Sequence, residues 1–240
     1  MFIATFPNGG STALAKLLST ASASTRLTPN GEGQWLVEQL KGKGRWTSQL
    51  PVDWAMVRAL WLQELRANAS FPCLVIEKSP PAMFRMKPLR ETFSDMPNSL
   101  IVYSRDPYAV CASWAHRYHA KRLTGSAEDR LALFTELGER YARFANQLAT
   151  LREDADYTFS YEELAADTKG VLTRLKEIEP WLEDVDMDAK LQVKDYDPQP
   201  LKNMNDTQIA KLTDDDIAAI TRGLAPAEET IAAFGYELRS

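Results

Sequence analysis

Apolar residues occur along the chain in two kinds of pattern. Short continuous runs at residues 2–6, 73–76 and 101–103 are followed by turn residues, and this length and continuity predict buried strands. Residues 52–67 and 131–148 instead repeat apolar side chains at helical spacing. Strands that alternate with helices are typical of α/β proteins. The pattern therefore predicts a three-layer α/β/α fold with a mainly parallel sheet.

The run at residues 101–103 ends close to Arg105, which is followed by Asp106 and Pro107. Asp and Pro in this order predict the N-cap and first residue of a helix. Arg105 is then at the C-terminal edge of a strand, where open α/β sheets bind anions and nucleotides. Ser113 follows two helical turns later, so one phosphate can contact both side chains. A capping ion pair between Arg105 and Asp106, with Ser113 as a packing residue, is the alternative interpretation.

A glycine-containing loop follows the first strand and opens an apolar helix. Its residues are Pro7, Asn8, Gly9, Gly10, Ser11 and Thr12. Glycines let backbone N–H groups approach a phosphate, and two hydroxyls add donors at the positive end of the helix. The loop is thus a candidate phosphate site, although a glycine turn capped by Ser or Thr is the alternative. No Gly-Lys-Ser or Gly-Lys-Thr follows, which argues against a Walker A loop and Mg-ATP hydrolysis.

Together these segments resemble the sulfotransferase family, which uses 3′-phosphoadenosine-5′-phosphosulfate (PAPS) as donor and releases 3′,5′-phosphoadenosine (PAP). In that family a loop after a strand holds the 5′ phosphosulfate. A later Arg-Asp-Pro or Arg-Asn-Pro helix supplies an arginine and a serine for the 3′ phosphate. Residues 7–12, Arg105 and Ser113 match those places. The resemblance implies a P-loop-like nucleotide-binding fold, with residues 1–240 as a single domain, and sulfuryl transfer to a hydroxyl or amine.

Two further segments extend the resemblance, which covers about residues 2–180 in family order. Residues 77–80, with Lys78, are similar to the Lys-Ser-Pro segment found between the two phosphate motifs. Residues 160–164 are similar to a Tyr-Glu-Asp-Leu segment, which implies that Tyr161 lies near the adenine. Lys202 and Asn203 lie where the family often returns a loop over the nucleotide, but an ordinary surface turn is the default interpretation there.

The chain departs from the family at Asn8, where an arginine or lysine is usual. A cation there would meet the negative charge that develops on the departing phosphate. Asn8 can donate a hydrogen bond but carries no charge. We expect Lys78 to supply the cation, because the family's loop and its Lys-Ser-Pro segment lie side by side. Lys16 is the second candidate, and altered chemistry without this cation is the third.

Sulfuryl transfer also needs a base to take the acceptor's proton. The chain has two histidines, His116 and His119, which are expected to follow the helix after Arg105 and, at a helix end, are more typical of surface or capping residues than of a base. Glu32 lies between two glycines and resembles the Gly-Glu segment that carries the base in the tyrosyl-protein branch. We therefore predict Glu32 as the base, with a solvated loop residue as the alternative. Glu77 is the reserve candidate, although an ion pair with Lys78 would explain it equally well.

Composition narrows the classes of partner. The formal charge of −5 argues against a nucleic-acid surface. No apolar run approaches the length of a membrane span, and no ligand cluster indicates a metal. Two cysteines in apolar surroundings favour reduced thiols and a cytoplasmic location. Short basic stretches occur at residues 41–46 and 116–122. Either their side chains are ordinary solvent-exposed charges, or they steer an anionic cofactor or acceptor toward the site. The expected partner is a small-molecule or peptide acceptor.

Two other classes of function stay open at this stage. A PAP- or PAPS-binding protein that transfers no sulfuryl group is suggested directly by Asn8. A P-loop kinase of small molecules would share the architecture but would need Mg-ATP, which the absence of a Walker A lysine disfavours.

Overall fold

The computed structural model describes residues 1–193 and 197–239. The strands are Phe2–Thr5 (β1), Ser24–Arg26 (β2), Leu74–Ile76 (β3), Leu100–Ser104 (β4) and Tyr157–Ser160 (β5). The α-helices are Ser11–Leu18 (α1), Trp54–Asn68 (α2), Met86–Thr92 (α3), Pro107–Tyr118 (α4), Ala120–Leu123 (α5), Ala127–Ala149 (α6), Tyr161–Ala166 (α7), Thr168–Ile178 (α8), Asn205–Ile209 (α9), Asp214–Leu224 (α10) and Glu228–Ala233 (α11). Short 3-10 turns connect several of these elements.

All strand pairs in the sheet are parallel. β1 pairs with β4 and β4 pairs with β5, while β2 pairs with β3. A bridge between Phe2 and Glu77, with a 2.8 Å hydrogen bond from Ile3 N to Glu77 O, joins the two sets. The resulting order is β2-β3-β1-β4-β5. This arrangement confirms the predicted parallel α/β fold.

Side chains of the central strands alternate between two hydrophobic cores, one on each face of the sheet. Ala4 and Val102 point into the core formed with α2, α3, α4, α6 and α10. Ile3 and Ile101 point into the opposite core, which α1 and α8 cover. A strand buried on both faces needs apolar residues at every position, which explains the continuous apolar runs in β1 and β4. Helices on both faces give the predicted three layers.

The helix start after β4 follows from its sequence. The Asp106 side chain accepts a 2.8 Å hydrogen bond from Ala109 N, and Pro107 occupies the first turn of α4. The predicted cap is confirmed. The alternative Arg105–Asp106 ion pair is wrong, because Asp106 pairs with Arg239 at 3.8 Å and Arg105 has other partners.

The sheet topology brings several loops to one edge. β1 lies between β3 and β4, so the chain leaves β1 toward one side of the sheet and later returns on the other. Ligands bind at such switch points, beyond the carboxyl ends of parallel strands. The segments after β1, β3, β4 and β5 all begin at this edge. None of the helices in residues 1–193 and 197–239 combines the length and apolar character needed to cross a bilayer.

Candidate functional site

A cavity of about 390 Å³ opens at this edge of the sheet. Most of the residues predicted for the site line it, and they come from six separate segments of the chain. They are Pro7, Asn8, Gly10, Ser11, Thr12, Glu32, Lys78, Arg105, Ser113, Tyr161 and Lys202. The fold therefore brings together side chains that are as much as 195 positions apart in the sequence, from 7 to 202.

Gly9 and Asn203 are not among the described residues that line the cavity. Gly9 packs against the chain behind the loop, where an added Cβ would lie 3.0 Å from Phe6 O. The Asn203 side chain binds the start of the helix that follows it, because its Oδ1 accepts a 2.9 Å hydrogen bond from Asn205 N at the start of α9. Gly9 thus shapes the loop, and Asn203 holds the end of the returning segment.

The loop between β1 and α1 requires unusual backbone geometry. Asn8 has φ of 57° and Gly10 has φ of 90°. A Cβ on Gly10 would lie 2.6 Å from the ring of Tyr161, so glycine is required there by both conformation and space. Trp114 Nε1 donates a 2.8 Å hydrogen bond to Pro7 O and fixes the start of the loop. Ser11, Thr12 and Ala13, the first residues of α1, line the cavity, and a helix start is suited to an anion.

Lys78 lies directly beside this loop. Its side chain is 1% exposed, and Nζ donates hydrogen bonds to Thr12 Oγ1 at 3.0 Å and to Glu32 Oε1 at 2.8 Å. Lys16 projects elsewhere, because its Nζ donates a 2.5 Å hydrogen bond to Gln192 O and it is not among the described cavity residues. Of the two lysines considered, Lys78 is the one placed to supply charge at the loop.

Glu32 is paired directly with Lys78 and is fixed by neutral donors as well. Gln34 Nε2 and Trp35 Nε1 donate to its Oε2 at 2.7 and 2.8 Å. The carboxylate is therefore held in one position by three donors, while its side chain stays 19% exposed. His116 and His119 are absent from the cavity wall within the described residues. His116 lies inside α4 rather than after it.

Glu77 has a different environment from Glu32. It is 3% exposed, and its two oxygens accept hydrogen bonds from Gly33 N at 2.7 Å and Ser79 N at 2.9 Å. Burial raises the pKa of Glu77 to about 7, although the bonds from Ser79 and Gly33 and the charge of Lys78 act in the opposite direction. The suggested ion pair with Lys78 is wrong, because Lys78 pairs with Glu32 instead. Glu77 ties the segment after Glu32 to the end of β3.

Arg105 forms the second cationic position of the cavity. Its Nε donates to Asn205 Oδ1 at 2.9 Å and its Nη1 to Asn8 O at 3.0 Å, while the guanidinium lies 4.1 Å from the centroid of the Tyr161 ring. Its Nη2 is buried and has no hydrogen-bond partner in residues 1–193 and 197–239. Ser113 lines the same cavity from α4. A buried guanidinium with an unused N–H group at a cavity is suited to an anionic ligand.

Tyr161 connects the returning segment to Arg105. Its hydroxyl donates to Lys202 O at 2.7 Å and accepts from Met204 N at 3.1 Å. Lys202 itself is exposed on the cavity rim. The position of Tyr161 near an adenine stays a prediction. Its contacts show that it fixes the segment that closes one side of the cavity.

Sequence reasoning missed the residues that hold Arg105 in place. Asn205 binds Arg105 Nε and also donates to Glu162 Oε1, which in addition accepts from Asp106 N at 3.0 Å. Tyr236 OH donates to Glu162 Oε2 at 2.8 Å. Asn205 is 100 positions from Arg105 in the sequence, so no local pattern could reveal this contact.

The cavity wall carries more positively charged than negatively charged side chains. The described wall contains one acidic residue, Glu32, and a larger set of cations, which are Arg45, Lys78, Arg105, Arg117 and Lys202. Two cations, Lys78 and Arg105, lie at different helix starts in one cavity. The wall therefore fits a ligand with negative charge at two separate places.

Comparisons with known proteins bear on the family and the fold of the chain. A model of the sulfotransferase family matches residues 1–178. Among solved structures, the sulfotransferase STF9 from Mycobacterium avium is similar in fold, with 12% identity, a TM-score of 0.54, and coverage of 100% of this chain and 77% of that chain. The sulfotransferase domain from the curacin biosynthetic pathway gives 21% identity, a TM-score of 0.46, and coverage of 100% and 93%. The search of curated proteins found no match.

Proposed function

Because the chain belongs to the sulfotransferase family, we propose that it transfers a sulfuryl group from PAPS to a hydroxyl or amine of a small-molecule or peptide acceptor. The observation that carries the proposal is Arg105 Nη2, a buried donor without a partner in the described chain, in the same cavity as the glycine loop. PAPS carries negative charge at its 3′ and 5′ positions. Two cationic positions in one cavity suit such a donor.

Each cationic position takes one end of the donor in this proposal. Arg105 and Ser113 bind the 3′ phosphate, because both line the cavity, and a guanidinium beside the start of α4 and a hydroxyl further along the same helix are donors to phosphate oxygens. Residues 7–12 and the N–H groups at the start of α1 bind the 5′ phosphosulfate. Tyr161 and Lys202 lie beside the nucleoside between them, with Asn203 as support.

The donor supplies a sulfuryl group on a phosphate leaving group, so the acceptor atom forms a bond to sulfur while the bond from sulfur to the 5′-phosphate oxygen breaks. Glu32 takes the proton from the acceptor, since it is the acidic residue in the described cavity wall. Lys78 stabilises the charge on the departing phosphate. Lys78 thereby replaces the cation that the family usually has at the position of Asn8.

The test is the dependence of nucleotide binding on the 3′ phosphate. Calorimetry of wild type and Arg105→Ala with PAP, and with ADP as a nucleotide lacking the 3′ phosphate, measures it directly. A charge-assisted hydrogen bond is worth about 1.5–3 kcal/mol, so we expect PAP binding to weaken roughly 10- to 100-fold in Arg105→Ala. ADP binding should change by less than about threefold.

Arg122→Ala is the matched control, because Arg122 is paired with Glu136 and is not among the described residues of the cavity wall. It should bind PAP as wild type does. Equal affinity of wild type for PAP and ADP, or equal loss of both in Arg105→Ala, refutes the proposed donor site. Release of radiolabelled sulfate ester from labelled PAPS then tests the transfer itself.

The lack of a positive charge at Asn8 supports a second candidate, a protein that binds PAP or PAPS without transferring the sulfuryl group. Asn8 lacks the usual cation, and Glu32 is held by Lys78, Gln34 and Trp35. PAP binding that needs the 3′ phosphate, combined with no transfer in an acceptor screen, would favour this candidate over the enzyme.

A further inference from the structure

The chain on both sides of Glu32 is attached to the end of β3. On the N-terminal side, Lys78 N donates a 2.7 Å hydrogen bond to Gly31 O. On the C-terminal side, Gly33 N donates a 2.7 Å hydrogen bond to Glu77 Oε2. The proposed base therefore lies on a short segment that is bound to the strand end immediately before it and immediately after it.

Two further side chains support the same segment from behind. Ser79 Oγ accepts a 3.2 Å hydrogen bond from Gln34 N, and Trp61 Nε1 donates a 3.0 Å hydrogen bond to Gly33 O. The Trp61 ring stacks on Phe93, with centroids 5.4 Å apart, and both rings belong to the core. An added Cβ on Gly33 would lie 2.7 Å from the Trp61 ring, so the segment packs directly against it. The support is thus part of the packed interior.

Glu77 joins this segment to the sheet. Its backbone is fixed by β1 and the residue before it, because Ile3 N donates to Glu77 O at 2.8 Å and Glu77 N donates to Met1 O at 3.0 Å. Its buried carboxyl group accepts from Gly33 N at one oxygen and from Ser79 N, at 2.9 Å, at the other. The strand end is therefore held by the backbone of the sheet, whereas the segment around Glu32 depends on the Glu77 side chain.

The supporting side chains are separate from the cavity. Glu77, Ser79 and Trp61 are not among the described residues that line it, whereas Glu32 and Lys78 are. Successive residues of an extended chain point to opposite sides, which explains how Lys78 lies at the cavity while Glu77 lies behind its wall. A carboxyl group in this position can act on a reaction only through the residues that it holds.

The position of Glu32 is important because a base must lie within hydrogen-bond reach of the proton that it removes. A displacement of about 1 Å can lower a rate about 100-fold. Gln34 and Trp35, which donate to Glu32 Oε2, follow Gly33 directly in the chain. A shift of the segment would therefore move the base and two of its donors together.

From these contacts we propose that Glu77 is a positioning residue for sulfuryl transfer, with Ser79 and Trp61 as its assistants. The Glu77 carboxyl group holds the segment that carries Glu32 and so keeps Glu32 beside Lys78. It touches neither the nucleotide nor the acceptor. The inference rests on the proposed function and extends its machinery to side chains behind the cavity wall.

The test is a double-mutant cycle with Glu77→Gln and Glu32→Gln. Glutamine keeps the shape of Glu77 but has one oxygen instead of two, so one of the bonds to Gly33 N and Ser79 N is lost. We expect Glu77→Gln to lower the single-turnover rate of transfer from saturating labelled PAPS to the best acceptor of wild type about 10- to 100-fold. PAP affinity, measured by calorimetry, should stay within about threefold of wild type.

The second half of the cycle separates positioning from a general structural effect. In the Glu32→Gln background, Glu77→Gln should lower the residual rate by less than about threefold, because a residue that acts through Glu32 then has no base to position. Ser79→Ala is a second variant, since it removes the acceptor of Gln34 N and leaves Glu77 in place. It should lower the rate about 3- to 10-fold.

Crystal structures of wild type and Glu77→Gln give a readout that needs no transfer. The distance between Glu32 Oε1 and Lys78 Nζ should lengthen from 2.8 Å to more than about 3.5 Å in the variant. Asp216→Asn is the matched control, because Asp216 is a buried carboxylate that also accepts from a backbone N–H, Thr213 N at 2.8 Å, and is not among the described residues of the cavity wall. Its rate should equal that of wild type.

Several results would overturn the inference. They are a loss of rate below threefold in Glu77→Gln, an equal loss in both backgrounds, and PAP binding that weakens by more than about threefold, since Glu77 would then act on stability or on the donor site. Absence of transfer by wild type is a separate result that refutes the proposed function itself. In that case an unmoved Glu32 in the Glu77→Gln crystal overturns the positioning role as well.

Discussion

Lys78 is a buried cation whose surroundings explain why it can be retained in the fold. Isolated buried charges are destabilising, but Lys78 donates to Thr12 and forms an ion pair with Glu32. Both partners lie at the cavity, so the pair holds a positive and a negative group side by side where a reaction needs both. This position makes Lys78 the most direct single-residue test of the proposed chemistry.

We expect Lys78→Met to lower the rate of sulfuryl transfer about 100-fold, because one donor to a developing charge is typically worth this much. PAP affinity should fall by less than about 10-fold, since Arg105 and the loop remain. Single-turnover transfer from labelled PAPS to the best acceptor of wild type measures the rate, and calorimetry measures binding. Lys16→Met is the control, because Lys16 binds Gln192 O outside the described cavity wall. Equal rates in Lys78→Met and Lys16→Met would contradict the role of Lys78.

At this scale the sequence could predict residues that belong to a local motif. Arg105 and the glycine loop each follow a strand and precede or open a helix, and Ser113 lies two turns further along the helix after Arg105, so their neighbours already indicate a phosphate site. Asn205 and Glu162 could not be found in this way, because they act on Arg105 from other parts of the chain. Their roles follow from tertiary contacts and not from the motifs of their own segments.

The junction between β3 and the turn at Gly33–Leu36 depends on a buried carboxyl group. Glu77, at the end of β3, accepts hydrogen bonds from Gly33 N and Ser79 N. Burial raises its pKa from 4.5 to about 7, so the folded chain holds this proton more tightly than the unfolded chain. The stabilisation from Glu77 is therefore complete below pH 4.5 and is lost as the pH rises through about 7.

We expect the free energy of unfolding of wild type to fall relative to Glu77→Gln between about pH 5 and pH 8, by up to about 3 kcal/mol. Denaturant unfolding at a series of pH values measures both proteins. The comparison removes the contributions of other titrating groups, because the variant keeps them. Parallel stability curves for the two proteins would show that Glu77 has an ordinary pKa in the fold.

Two helices, α6 and α10, approach so closely that only glycine fits between them. A Cβ on Gly223 would lie 2.3 Å from Thr135 O, and one on Gly138 would lie 2.5 Å from Ile220 O. Arg130 and Asp216 add an ion pair of 2.6 Å between the same helices. Backbone atoms on both sides leave no flexible side chain that can move away.

Gly223→Ala should therefore force the two helices apart and lower the free energy of unfolding by about 1–3 kcal/mol, the usual range for overpacking. Urea unfolding measures the change. Gly42→Ala is the control, because no heavy atom lies within 4 Å of its added Cβ and its φ is −71°. A loss in Gly223→Ala no larger than in Gly42→Ala would show that the contact relaxes freely.

Elements were predictable where the sheet buries them on both faces. β1, β3 and β4 have continuous apolar runs, and helices α2 and α6 have clear apolar stripes. β2 was not predicted, because its three residues, Ser-Thr-Arg, are only half-buried and lack an apolar pattern. It forms a strand through its pairing with β3, which is a tertiary contact.

Across the whole molecule, the last described segment is connected to Arg105 through a chain of hydrogen bonds. Tyr236 OH donates to Glu162, Glu162 accepts from Asn205, and Asn205 accepts from Arg105 Nε. Glu162 also accepts from Asp106 N at the start of α4. The position of Arg105 therefore depends on four segments that are far apart in the sequence, and a family motif alone does not specify it.

Tyr236→Phe tests this dependence without touching the cavity wall. Removing the hydroxyl takes away the hydrogen bond that Glu162 Oε2 accepts from Tyr236. A hydrogen bond of this kind contributes about 1–2 kcal/mol. If the network positions Arg105, PAP affinity should fall about 3- to 10-fold, while ADP affinity stays the same. The reason is that the proposed contact with Arg105 is made by the 3′ phosphate, which ADP lacks. Calorimetry with both nucleotides measures the two values. Tyr157→Phe is the matched control, since Tyr157 lies at the opposite end of β5 and its ring contacts Phe159 and Arg174 rather than Glu162. A selective loss of PAP binding in Tyr236→Phe but not in Tyr157→Phe supports positioning through the network, whereas equal losses for PAP and ADP would mean that Tyr236 acts on stability alone.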